Sequence, residues 1–478
     1  MSVGFVKRPL WSTADAQAAT GGVALGPAWL ATGIAIDTRT LERGDLFVAL
    51  RGDRDGHAFV SAAFERGAAA ALIDDPKLTA ETAGGPLLRV ADSLKGLAAM
   101  GVAARARSSA KAVAITGSVG KTSTKDALRH VLSRQGSTHA AAASFNNHIG
   151  VPVTLARLPV DARFGVFEVG TNHPGEIEPL ARMVRADVAV ITTVQPVHIE
   201  YFGTIDAIVR EKGQIFAGAA GGTAILERDS PHFDALAEIA RGHGIARIIS
   251  FGEDAASDVR LAACGTDANG SDVAALVLGS ELRYRVGAPG LHWARNSLAV
   301  LATVEALGAN VEAAAAALAS VSPPAGRGAR RRVALGGGDI ELIDESYNAS
   351  PVSVRAMLSN LAMTNPAPGG RRVLVLGDMR ELGAEADAMH VGLAPDIESS
   401  GVATVFTCGP HMEKLRAALP PALRAVHTAD SARLAQRVIE GLRPGDVVAV
   451  KGSLGSKMKV VVDAILAMGA VTSGSGKG

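Results

Sequence analysis

The most specific chemistry in this sequence lies between Thr116 and Thr122, TGSVGKT, after the apolar run Ala112, Val113, Ala114, Ile115 and before the helix-like STKDALRHVL. A strand, a tight glycine turn and a helix start form a cradle in which backbone N–H groups and a helix N-terminus face a polyphosphate. Gly117 and Gly120 allow the close backbone approach that a Cβ would block. Lys121 supplies a point charge to the outer phosphates, and Thr122 offers a hydroxyl to Mg²⁺. The common loop reads GxxxxGK[ST], which would put glycine at 115, where this chain has Ile115. The rival reading is a glycine turn that only joins a strand to a helix. Against it, the apolar pairs Ala127/Leu128 and Val131/Leu132 recur at helical spacing directly after the loop.

Two further polar residues stand at the ends of apolar strands. Glu168 lies within FGVFEVGT, Phe164 to Thr171, and His198 follows ADVAVITTV, Ala186 to Val194. In an open parallel sheet ligands sit beyond the carboxyl ends of the strands, so both residues should share a rim with Thr122. A carboxylate at the end of a buried strand is costly unless it is paired or binds a metal. Mg²⁺ coordination is the sharper reading, and a structural ion pair is the alternative. Lys212, on the helix-like IVREKGQIF, reads by default as a solvated surface lysine. Asp37, Thr38, Arg39, Asp55 and His57 cluster in a charged stretch around the apolar LFVAL, where a solvated loop is as good an account as a binding site. His57 alone is a poor catalytic candidate.

The elements that must position these groups fall into an α/β architecture. At 478 residues the chain exceeds a single core, and about three domains are expected. We place them at 1–110, 111–326 and 327–478: a small α/β N-terminal domain, a central P-loop ATPase domain with a mostly parallel sheet, and a C-terminal doubly wound, Rossmann-like domain. The second boundary is the cluster SPPAGRGARRR. In the middle unit the stretch 255–289 reads as short antiparallel strands, and Asn296 to Val321 as an alanine-rich helical stretch. The third unit repeats a strand-then-helix beat but lacks a GxGxxG fingerprint. The tail VTSGSGKG reads as unstructured. A net charge of +1 gives no global reason to expect nucleic acid or an anionic membrane. Two distant cysteines, with no CxxC, argue for a reducing compartment and against a zinc site. With no apolar h-region and no apolar run of membrane length, a cytoplasmic protein without membrane insertion is expected.

Several stretches taken together resemble one family, the ATP-dependent Mur ligases of peptidoglycan synthesis. FNNHIGVP (145–152), EVGTNHPGEI (168–177), HIEYFG (198–203), GLHWARNSLA (290–299), DESYNASP (344–351) and GDMRELG (377–383) are similar in order and spacing to its branch that adds D-alanyl-D-alanine to a UDP-N-acetylmuramoyl-tripeptide. The resemblance covers nearly the whole chain. It implies ATP and Mg²⁺ as cofactors, and that tripeptide and D-alanyl-D-alanine as partners; a monomer is expected. It also implies a nucleotide seat formed by Gly117, Ser118, Gly120, Lys121, Thr122 and Ser123. Thr122 and Glu168 would hold Mg²⁺, His198 a second Mg²⁺, and Lys212 would be a carbamylated lysine whose carbamate is a metal ligand. Lys121, His198 and Lys212 would thus be the catalytic residues. Asn296 would contact the adenine, with Arg327 and Asp344 reaching the nucleotide. Thr38, Arg39 and His57 would shape the uridine-nucleotide site, and Asn146 and Asn147 the substrate path. Glu227 stands where the family pattern leads one to expect asparagine. The alternatives are a sister ligase that adds a diamino acid to the dipeptide, whose Asp-Asn-Pro-Arg box is absent here, and a nucleotide-dependent switch that makes no bond.

Overall fold

The computed structural model describes residues 8–141, 144–197 and 199–474. Within them the apolar runs form four sheets, of two, nine, six and five strands. The nine-stranded sheet holds Lys111–Thr116, the strand that feeds the glycine loop, between Phe164–Glu168 and Val188–Ile191, both parallel to it. Every residue of those two flanking strands is buried, because helices cover both faces of a parallel sheet. Lys121–Leu132 and Leu291–Ala306 pack on one face through residues such as Val131 and Leu298. Ile177–Val184 and Ile205–Gly213 pack on the other through Leu180 and Ile208. Beyond Thr223–Glu227 and Arg247–Gly252 the sheet ends in the antiparallel run Val259–Asp267, Gly270–Val277, Ser280–Val286, as the 255–289 pattern predicts.

The alanine-rich stretch is two helices rather than one. Leu291–Ala306 ends before Gly308, whose φ is +66°, and Val311–Leu318 begins where the Asn310 side chain accepts the Ala313 N–H at 2.6 Å. A left-handed glycine followed by an asparagine cap stops one helix and starts the next.

The five-stranded sheet, in the order 23–25, 87–89, 70–73, 45–48, 33–35, belongs to the first unit. Its core is completed from outside it, by Val153 and Ala156 of the helix Gly150–Ala156. Polar contacts reinforce that joint. The Trp11 indole N–H donates to the Ala156 carbonyl at 2.8 Å, Arg157 Nε to the Ile34 carbonyl at 2.7 Å, and Arg105 to the carbonyls of Val184 and Arg185 at 2.8 and 2.9 Å.

The six-stranded sheet runs 329–335, 338–345, 447–451, 372–377, 404–408, 424–428, parallel except for the first hairpin. After Arg372–Gly377 the chain enters helices on the face that buries Leu374 and Leu376; after Val447–Lys451 it enters Lys459–Gly474 on the face that buries Val373 and Val375. Those two neighbouring strands therefore flank a switch point of the winding, the usual place for a ligand crevice. Lys459–Gly474 also takes in residues 471–474, the start of the tail read as unstructured, because its alanine- and valine-rich run holds no proline to end it. Among the described residues no helix is long and apolar enough to cross a membrane.

Candidate active site

The glycine loop adopts the shape its sequence requires. Gly117 and Gly120 have φ of +144° and +92°, and Lys121–Leu132 starts directly after them. A Cβ on Gly117 would lie 2.0 Å from Thr192 Oγ1, so the loop is pressed against the next strand's end; one on Gly120 would lie 3.1 Å from Asn296 Oδ1, which puts the predicted adenine contact beside the loop. Thr192 Oγ1 donates to the Val119 carbonyl at 2.6 Å, and the Ser118 N–H to the Thr193 carbonyl at 2.8 Å. Ser118 Oγ donates to the Gln195 carbonyl and accepts the Gln195 N–H, both at 2.9 Å. This bracing by residues 192–195 escapes sequence reasoning; the paired threonines of ITTVQ are its only local signal.

Three cations converge on the loop. Lys121 Nζ donates to the Gly117 carbonyl at 2.6 Å. Burial pulls its ammonium below the ordinary lysine range; the Glu168 charge works against that and the Arg327 guanidinium adds to it. Arg327 lies over the Tyr347 ring, 4.2 Å from its centroid. Lys212 is 2% exposed, which overturns its default reading as a surface residue. Among the described residues its ammonium has no hydrogen bond and no ion pair. Burial, then the Lys121 charge, pushes it well below the ordinary range, with Glu211 and Glu176 opposing. Both acids are instead engaged by backbone groups: Glu211 accepts the N–H groups of Gly175 and Ile177 at 2.8 and 2.9 Å, and Glu176 those of Asn172 and His173. Cations crowded together with no ion pair among the described residues favour a polyanion.

Glu168, 1% exposed, supplies the carboxylate of this rim. Its Oε2 accepts the Thr122 hydroxyl at 2.9 Å and its Oε1 the Asn146 amide at 2.8 Å. It has no salt bridge among the described residues, so the ion-pair alternative is not realised. A hydroxyl and a carboxylate at a phosphate seat are hard oxygen donors of the kind Mg²⁺ takes, since that ion needs only one or two carboxylates beside phosphate oxygens and water. No group of three or more His, Cys, Asp or Glu side chains suited to a metal occurs among the described residues. His198, the predicted second metal ligand, lies outside the described residues. Ser144 Oγ, 3.3 Å from Thr122 Oγ1, ties the segment carrying Asn146 and Asn147 to the same seat. Asn147 itself caps a helix start, its Oδ1 accepting the N–H of Gly150 at 2.9 Å. Ser123 sits half-buried in the first turn after the loop.

The remaining predicted residues are placed less directly. Asp344 accepts the Gly326 N–H at 2.9 Å and the Ser346 hydroxyl at 2.6 Å, so its carboxylate fastens the linker that carries Arg327. Arg39 is exposed and forked onto Asp37, and Thr38 is half-buried beside it. His57 is buried, contrary to the solvated-loop reading: Nδ1 is 2.6 Å from Asp55 Oδ1 and Nε2 accepts the Asp74 N–H at 3.1 Å, so the ring braces its loop. Burial raises the Glu227 carboxyl, and its hydrogen bond with Thr193 opposes the rise.

A phosphate cradle at the carboxyl edge of a parallel sheet, with an α/β lobe joined to either end of it, defines a nucleotide-using enzyme assembled from three units. Comparison with known proteins gives that class a narrower identity. Residues 31–100, 115–304 and 329–454 match in order the Mur ligase family catalytic domain, the Mur ligase middle domain, and the Mur ligase glutamate ligase domain. A UDP-N-acetylmuramoyl-tripeptide–D-alanyl-D-alanine ligase of Escherichia coli (strain K12) is 33% identical over 437 residues, which are 90% of this chain and 93% of that protein. The Rickettsia prowazekii (strain Madrid E) protein of that name is 28% identical over 90% of this chain and 94% of its own length. A crystal structure of MurF from Acinetobacter baumannii superposes with a TM-score of 0.82 at 28% identity, covering 96% of this chain and 99% of that one. The chain belongs to the Mur ligase family.

Proposed function

We infer that this protein joins D-alanyl-D-alanine to the terminal carboxylate of UDP-N-acetylmuramoyl-tripeptide at the expense of ATP, giving the pentapeptide precursor of peptidoglycan. The observation that carries the reading is the match, over nine-tenths of the chain, to relatives of that activity, in a protein whose loop cations await a polyphosphate. A carboxylate is a poor electrophile, so the γ-phosphoryl first moves to the tripeptide carboxylate, breaking its bond to the β-phosphate bridge and releasing ADP. The dipeptide amine then attacks the acyl carbon, phosphate leaves with the C–O bond's electron pair, and the amine gives up a proton.

In this reading Lys121 and Arg327 offset charge on the transferring group, and positioning does most of the remaining work. Gly117, Ser118, Gly120 and Ser123 seat the phosphates, Asn296 the adenine, and Asp344 keeps the Arg327 linker in place. Thr122 and Glu168 would hold Mg²⁺, with His198 and a carbamylated Lys212 at a second ion; bound there, the metal supplies charge neutralisation to the β- and γ-phosphates. Burial, which disfavours the Lys212 ammonium, favours the reaction in which its nitrogen would attack CO₂ and lose a proton to give the carbamate. Thr38, Arg39 and His57 border the uridine-nucleotide site, and Asn146 and Asn147 the tripeptide path. We place the three units at 1–110, 111–326 and 327–478, in a cytoplasmic monomer. Phosphate release and product mass, measured with UDP-tripeptide in the presence and absence of D-alanyl-D-alanine, test the activity. Release that ignores both substrates would point to a nucleotide switch, and product only with a UDP-dipeptide and a diamino acid to the sister ligase.

A further inference from the structure

Resting on the ligase reading, we propose that Tyr347 is a positioning residue for phosphoryl transfer: its aromatic face holds the Arg327 guanidinium toward the phosphate seat and leaves the N–H groups of that guanidinium open to the nucleotide. The two residues sit on segments that are zipped together. The Gly326 N–H donates to Asp344 Oδ2 at 2.9 Å, the Tyr347 N–H to the Gly326 carbonyl at 3.1 Å, and the Gly328 N–H to the Asp344 carbonyl at 2.8 Å. Gly326 and Gly328 have φ of +76° and +104°, and a Cβ on Gly326 would lie 2.9 Å from that of Tyr347. The linker backbone is therefore fixed to the end of the strand Gly338–Glu345 and to the loop after it. An arginine on a fixed backbone still has a long side chain to order, and ordering it costs entropy.

Among the described residues the Arg327 guanidinium makes no hydrogen bond and no ion pair; what it meets is the Tyr347 ring, 4.2 Å from the centroid. The two carboxylates on the same stretch are engaged by other groups. Asp344 accepts the Gly326 N–H and the Ser346 hydroxyl, and Glu345 accepts Lys451 Nζ at 3.0 Å. The Tyr347 hydroxyl likewise has no hydrogen bond among the described residues, so the ring face is what this side chain offers. A carboxylate partner would cancel the arginine's charge and occupy its fork. An aromatic face attracts the cation through its quadrupole and leaves the in-plane donors open. A phosphoryl group in transfer uses both the charge and the donors. The Arg327 charge is already felt at the loop, where it adds to the lowering of the Lys121 ammonium.

The test uses the full-length protein with ATP, UDP-tripeptide and D-alanyl-D-alanine each varied in turn. Tyr347→Leu, which keeps an apolar side chain and loses the π face, should lower kcat by ~3–30-fold, the span of a cation–π contact from solvent to a desolvated site, with all three KM values close to those of the unaltered enzyme. Tyr347→Phe, which keeps the face and loses only the hydroxyl, should hold kcat within ~2-fold of normal. In an Arg327→Ala background Tyr347→Leu should cost nothing further, because the two residues act as one unit. Tyr347→Met carries the same expectations as Tyr347→Leu should the latter not fold. The proposal is overturned by full kcat in Tyr347→Leu, by a loss that adds in full to that of Arg327→Ala, or by Tyr347→Phe as slow as Tyr347→Leu. A raised KM for ATP at unchanged kcat overturns it too, since that would put the ring against the nucleotide itself. Each of these results leaves the ligase reading intact, whereas absence of product from the unaltered enzyme removes that reading and this proposal with it.

Discussion

Buried charges are handled in opposite ways in the middle and C-terminal sheets. At Asp446 and Lys451, beside and on the C-terminal sheet's central strand, they are matched by charges of opposite sign, although Asp344 meets only neutral donors. Asp446, wholly buried, receives the N–H and guanidinium of Arg371 and the N–H of Arg443, the closest contact being 2.7 Å; Lys451, 2% exposed, donates to Glu345 and to the Asn348 carbonyl, both at 3.0 Å. Around the middle sheet, among the described residues, Lys212 has no partner of opposite sign in contact, Lys121 bonds carbonyls of its own loop, and Glu168 meets only neutral donors. Desolvated charge without compensation costs free energy. A fold that tolerates it in one sheet and cancels it in another keeps the first set for something that arrives later. The contrast predicts that charges of the middle sheet govern turnover and those of the C-terminal sheet govern stability.

The largest expected effect is at Lys121. Lys121→Ala should lower kcat by ~10³–10⁵-fold, the range found for cations that offset charge on a transferring phosphoryl group. Its melting temperature should hold or rise slightly, since a desolvated ammonium is removed. Full coupling activity in that variant would sink the nucleotide-seat assignment. The opposite signature belongs to Asp446→Ala, which strands Arg371 and should cost about 3–5 kcal/mol in urea melts while per-molecule activity of the folded fraction stays close to normal. If instead Asp446→Ala were stable and inactive, the division between the two sheets would be wrong.

Smaller, and sharper as a test of the metal reading, is Glu168→Gln. The amide keeps the volume and can still accept from Thr122 while its N–H₂ meets Asn146, whose own amide must turn to accept it, so thermal stability should change little, whereas turnover should drop ~10²–10³-fold for loss of a preorganised charge contact. Chelation by EDTA should silence the unaltered enzyme, and added Mg²⁺ should restore it. Activity indifferent to EDTA would remove Mg²⁺ from the mechanism.

Much of this contrast could be read from the residues, and the rest could not, for a common reason. The phosphate cradle is local: seven consecutive residues and the helix after them fix its geometry, and Glu168 follows from the rule that parallel strands end at the ligand. The alternation of apolar runs and helices likewise announces the two doubly wound sheets. Lys212 was opaque because its burial depends on a distant helix packing against its neighbour, where a Cβ on Gly213 would lie 2.7 Å from Ile239. His57 was opaque because its second bond comes from Asp74, on another strand end. The arginines that join the first unit to the middle one act on carbonyls far off in sequence, as Arg157 does on Ile34, and no periodicity reports a carbonyl acceptor. Pairing across the fold is invisible to patterns within it, which is also why the burial of Lys212 emerges only in three dimensions.

A third kind of charge bounds the comparison from below. Asp37 and Arg39 form a pair that is matched, as in the C-terminal sheet, but lies in solvent, the Arg39 side chain being 77% exposed. The hydrogen bonds from Arg39 hold the Asp37 carboxyl down at about 2, against 3.8 for the free group. A depressed acid is deprotonated in the folded state where the unfolded chain would already be protonated. Its contribution is therefore complete above about 3.8 and disappears as the pH falls through about 2. Solvent screening keeps that contribution small. In urea melts Asp37→Asn should trail the unaltered protein by a slight, constant margin from neutral pH down to pH ~4, and the margin should narrow below that. If the margin instead matched the Asp446 effect, or widened on acidification, partnership alone would set the worth of a charge here; the expected outcome requires burial as well.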